Sequence, residues 1–178
     1  GPGRLSAPDI LDELAEINMT SGNRRGLQRR ISFLLESLLE QGDTSVPHIR
    51  EFLNKMEDVD FAVRKSSKDE SSELNYWRTR MVHGPLDFEQ PPSLRVGLID
   101  ILSEIGGAKA EAALAEVLST TGRGFEIAYT AKKLQRWLGK DAYRGEALGA
   151  AHELLSEPIK VPNGNKFDAA SRQYLFMV

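Results

Sequence analysis

The sequence predicts an all-α protein, an α-solenoid of stacked antiparallel helical hairpins with an irregular middle segment. Three observations carry that prediction. Apolar residues recur at helical spacing along most of the chain, and strand-like alternation is nearly absent. The stripes also repeat: Leu94, Leu98, Ile101, Leu102 and Ile105 lie 67 positions after Leu27, Ile31, Leu34, Leu35 and Leu38, and Ile127, Ala131, Leu134 and Leu138 lie a further 33 on. Glycine follows each stripe, at Gly42, at Gly106-Gly107 and at Gly139. One amphipathic hairpin cannot cover its own apolar stripe, whereas hairpins piled at a period near 33 residues share one continuous core.

The elements follow in order. Ser6 caps a first short helix, with Pro8 in its first turn and Ile10, Leu14 and Ile17 on one face. A longer helix runs from about Asn23, carries the Leu27–Leu38 stripe and stops at Gly42. Pro47 starts the next, with Ile49, Phe52, Leu53 and Met56 inward. Pro91 and Pro92 open a further helix, and Gly106-Gly107 separates it from one bearing Ala110, Leu114, Val117 and Leu118. Gly122 and Gly124 read as left-handed helix stops. The third pair carries the Ile127–Leu138 stripe, then Gly139, then Tyr143, Ala147, Ala151, Leu154 and Leu155, and ends at Pro158. The repeats thus fall at about 22–57, 92–122 and 123–157.

The register calls for another repeat between the first two, and the sequence is poor there. Ser66 to Ser72 is polar and charged, Leu74, Trp77 and Met81 share a helical face, and His83-Gly84-Pro85 ends it. Residues 58–91 therefore read as an insertion or a degraded repeat, with two helical lobes joined by a mobile linker as the alternative. Pro162-Asn163-Gly164 makes a turn before a capping helix over 166–178. Gly1-Pro2-Gly3 is expected to be the remnant of a cleaved tag, leaving 4–178 as a single domain.

Composition narrows the function classes. With 178 residues, 40% hydrophobic and 28% charged, the chain suits one ordinary core-bearing domain. A formal net charge of -3 argues against a dedicated nucleic-acid binder. No apolar run approaches the roughly 18 residues that span a membrane. The absence of cysteine excludes disulfides, thiolate metal sites and a cysteine nucleophile. It suits cytoplasm and bacterial cell envelope equally, so localisation stays open.

The run from Ser93 to Leu102, followed by Glu104-Ile105-Gly106-Gly107, resembles a bacterial HEAT-like helical repeat, as does Ala110 to Leu118. The resemblance covers roughly 92–157 and, more loosely, 22–57. Asp100 stands where such repeats place an aspartate, and Lys109 stands at the basic position. The resemblance implies a right-handed α-solenoid of the armadillo/HEAT superfamily, an interaction scaffold whose curved surface is commonly lined by the second helix of each hairpin. Its motifs specify fold and leave activity open.

The chemistry-bearing groups each have two readings. Arg24, Arg25, Arg29 and Arg30 form the densest basic cluster, an anion or phosphate contact on one reading and a solvated face answered by Glu36 and Glu40 on the other. Tyr76-Trp77-Arg78-Thr79-Arg80 mixes aromatics with arginines, as a binding tip or as a helix packed on the stack, with Arg78 and Arg80 the better interface candidates. His48, His83 and His152 lack partners at metal-binding spacing, and the glycine pairs follow helices rather than the strands a phosphate loop needs. No nucleophile elbow occurs. The Asn18-Met19-Thr20 sequon carries little weight.

The function expected is a non-enzymatic scaffold, without cofactor or metal, binding a protein or peptide on the second helices. The polar face there offers Arg50, Glu51 and Lys55, then Glu111 and Glu116, then Arg144 and Glu146. Nucleic-acid binding through the Arg24–Arg30 cluster with Arg78 and Arg80 is the alternative, and a solenoid enzyme comes third.

Overall fold

A computed structural model describes residues 4–61 and 90–156. Every regular element among them is helical: α1 (Ala7–Ala15), α2 (Arg24–Gln41), a 3-10 turn (Gly42–Ser45) leading into α3 (Val46–Asn54), α4 (Leu94–Ile105), α5 (Gly107–Thr120), α6 (Gly124–Leu138) and α7 (Arg144–Ser156). The described residues contain no strand and one isolated antiparallel bridge, Asp60 with Ser93. The chain is thus all-α over this range.

Polar side chains start the helices by taking up backbone donors that lack a carbonyl one turn back. The Ser6 hydroxyl accepts from the Asp9 amide at 3.3 Å, and Asn23 Oδ1 accepts from Arg25 and Gly26. Ser93, itself buried, accepts from Val96 at 3.3 Å. Left-handed glycines end or divide them: Gly42 (φ 58°) follows α2, and Gly106 (φ 67°) with Gly107 (φ 81°) separates α4 from α5.

The described residues fall into two compact units, one comprising 4–61 and 90–113, the other 114–156, so that α5 belongs to both. In the first, α2 packs on α1 and α4, and α3 packs on α1 and α4. Ile10, Leu14, Ile31, Leu34, Leu38, Ile49, Leu94, Leu98 and Leu102 are fully buried at its centre. Each contributes roughly 1.5–3 kcal/mol of burial. Gly97 explains how α2 and α4 approach: a methyl group there would lie 3.2 Å from both Leu35 Cδ1 and Pro91 Cγ. In the second unit α6 packs on α7, around Leu114, Phe125, Ile127, Tyr129, Leu134 and Ala147.

Several expectations are corrected. Burial in α4 and α6 is not a stripe: every residue from Pro91 to Ile99 and from Arg123 to Ala131 is buried, a full circumference of helix. Leu138 is exposed, because it closes α6 one residue before the Gly139 turn and extends past the core. Met56 (φ 59°) and Tyr143 (φ 56°) do not sit on helical faces. Both adopt the left-handed conformation in the turns beside α3 and α7. Ile17 lies beyond the end of α1. Gly122 and Gly124 are not left-handed stops: α5 ends at Thr120, and Gly124 is the first residue of α6, after Arg123 at the cap. Arg78, Arg80, Trp77, most of the 58–91 segment, Pro158 and the 166–178 capping helix lie outside the described residues.

Candidate binding groove on the second helices

Helix α3 and the first turns of α5 line a cavity of about 670 Å³ within the first unit. From α3 come Val46, Pro47, Arg50, Glu51 and Asn54, and from α5 come Ala108, Lys109 and Ala112. The spacing is dictated by the helix: positions 47, 50, 51 and 54 share one face, as do 108 and 112. Alanine at both α5 positions leaves space that a larger side chain would fill. The result is an apolar floor of Val46, Pro47 and the alanines, with Arg50, Glu51, Asn54 and Lys109 as a polar rim. The volume lies in the range of pockets that hold small ligands or a few residues of a peptide.

The structure brings together some of the sequence candidates and separates others. Arg50 and Glu51 line the groove. Lys55 is exposed just past α3 and takes no part in the lining. Glu111 and Glu116 are half-buried on α5, outside the groove, and the Glu116 carbonyl accepts from the Ser119 and Thr120 hydroxyls. Arg144 and Glu146 are exposed on α7 in the second unit, where Arg144 pairs with Asp141 at 3.7 Å.

The basic cluster of α2 divides. Arg24, Arg25 and Arg29 are exposed. Arg30 instead grips Glu13 of α1 with both arms, Nε to Oε1 at 2.8 Å and Nη2 to Oε2 at 2.8 Å, and lies 5.2 Å over the Phe33 ring. The hydrogen bond to Glu13 raises the Arg30 pKa above its ordinary value, against a smaller opposing desolvation. The pair is partly exposed, so its stabilisation is below about 1 kcal/mol. Its effect is to tie α2 to α1 and withdraw one cation from the cluster. A smaller cavity of about 440 Å³ adjoins it, lined by Arg4, Leu5, Arg30, Phe33, Ser37, Glu40 and Gln41.

Sequence reasoning missed the buried charges. Arg95 is 1% exposed, and Arg123, Glu126 and Lys133 are also buried. Arg95 Nη1 donates to the Leu53 carbonyl at 2.7 Å, and its backbone amide donates to Asp58 Oδ1 at 2.9 Å. Arg123 pairs with Glu126 at 3.5 Å, and Glu126 accepts from the Thr121 hydroxyl at 2.9 Å. Lys133 lies 5.4 Å over the Tyr129 ring, which stacks on Phe125 at 5.7 Å. A signal existed for Arg95, which interrupts the otherwise apolar run Leu94 to Ile99. Lys109, read only as a repeat position, was missed as a groove residue.

Among the described residues no group of three histidines, cysteines, aspartates or glutamates converges, and no helix is long and apolar enough to cross a membrane. No family model matches the chain, and no curated protein or solved structure matches it. Fold and geometry define a chain that is all-α over the described residues and carries a groove of binding size between α3 and α5.

Proposed function

We propose that this protein is a non-enzymatic scaffold, a HEAT-like α-solenoid that binds a protein or peptide on the surface of its second helices. The groove between α3 and α5 is the observation that carries the reading: its walls come from the two helices that this reading takes as the second helices of their hairpins. The packing of α2 on α4, first helix on first helix, supports the stacking of those hairpins. An apolar floor with a charged rim suits a short segment that seats one apolar side chain and bonds at the edges. Nucleic-acid binding is the weaker reading, because Glu13 engages one of the four clustered arginines.

Peptide selection against the full chain tests it. Selected peptides are expected to lose about tenfold or more in affinity to Ala112→Arg, which fills the groove, and to weaken with Lys109→Glu. The exposed Glu104→Gln, outside the groove lining, is expected to bind as the parent does. Peptides that bind equally to the filled groove would overturn the assignment.

A further inference from the structure

We propose that the turn joining α6 to α7 docks the protein onto an anionic membrane surface. The large apolar side chains exposed among the described residues are Phe33, Trp137, Leu138 and Leu148, and three of these four lie at one hairpin end. Trp137 and Leu138 close α6, and Leu148 lies about one turn into α7. They are 36%, 42% and 45% exposed, a solvation cost that neither helix needs for its own packing.

Every residue from Arg136 to Asp141 is exposed, so Trp137 and Leu138 lie in an exposed turn. The turn satisfies much of its own backbone: Gly139 donates to Gln135 at 2.8 Å, Ala142 to Gly139 at 3.0 Å and Arg144 to Asp141 at 3.3 Å. Such a turn carries fewer bare amides into the headgroup layer than an open loop would. Tryptophan favours that layer because its ring is apolar and its N–H finds a polar partner there.

Charge selects the kind of surface. Lys132, Arg136, Lys140 and Arg144 outnumber Asp141 and Glu146 at this end, although the whole chain carries -3. Anionic headgroups therefore attract this end and repel the molecule's average charge, which orients the approach. A second copy would bring the same cations against one another. Nucleic acid would use the indole but gain little from two exposed leucines, which cannot stack on bases as aromatics do.

Flotation of the full chain with vesicles of phosphatidylcholine, alone or with about one-third phosphatidylserine, is the test. We expect binding only to the serine-lipid vesicles. It should fall about fivefold with Lys140→Glu, and about tenfold with Leu138→Ser combined with Leu148→Ser, all at exposed positions. With Trp77→Phe leaving Trp137 as the only indole, emission should shift to the blue on those vesicles alone. Equal binding to neutral vesicles, no binding to either, unmoved Trp137 emission, or binding indifferent to the leucine changes would each overturn the proposal. So would concentration-dependent self-association that the leucine changes abolish, which would assign the surface to a second copy.

Discussion

Nine consecutive buried residues lead into each of helices α4 and α6, 91–99 and 123–131, and each stretch contains an arginine. Burying a guanidinium requires charge-assisted hydrogen bonds, and the two helices find them at different distances along the chain. Arg95 reaches the Leu53 carbonyl, 42 residues away, while its amide takes Asp58, 37 residues away. Leu53 lies in the last turn of α3, where a cation is favoured, and its carbonyl also accepts from the Met56 amide at 3.3 Å. Arg123 pairs with Glu126, three residues on, and Thr121 holds that carboxylate. The Arg123 partner lies within the first turn of α6, whereas the Leu53 carbonyl meets Arg95 only once α3 has been folded against α4. One arginine fastens two elements, and the other completes the start of its own helix.

Five variants break or sharpen that comparison, all measured by denaturant unfolding. Arg95→Met should cost about 3–5 kcal/mol, since it strands the buried groups the guanidinium served. Arg123→Met should also destabilise, but Arg123→Met with Glu126→Met should return most of the loss, because both charges leave together. A loss below about 1 kcal/mol for Arg95→Met would erase the distinction. Next in size, Leu98→Ala in α4 should cost roughly 2–5 kcal/mol, as a fully buried leucine does. A change below about 0.5 kcal/mol would place Leu98 outside the core. Smallest, Thr130→Val in α6 should stabilise by about 1 kcal/mol, because the Thr130 hydroxyl is buried with no hydrogen-bond partner among the described residues. A loss on this change would mean that the hydroxyl is bonded.

Much of the helical plan was legible because its causes are local. Ser6, Asn23 and the left-handed Gly42, Gly106 and Gly139 act within a turn of themselves, and each stands where the pattern put it. Gly122 and Gly124 misled for the same reason: whether a glycine stops a helix or begins one depends on its φ, which composition does not give. Met56 and Tyr143 adopt positive φ in the turns beside α3 and α7, which the spacing of apolar residues does not signal. Of the groove, Arg50 and Glu51 were readable as the polar face of α3, while Ala108, Lys109 and Ala112 acquire meaning only opposite them.

The sequence by itself determined that the described chain is helical, and roughly where its helices begin and end, because periodicity, caps and left-handed glycines act over three or four residues. Only the tertiary structure decided that α4 and α6 are covered all round, that Arg95 and Glu126 are buried while Leu138 is exposed, and that α3 and α5 leave a groove between them. Those outcomes depend on which elements pack against each other, and a stripe of apolar residues states that a face must be covered without stating by what.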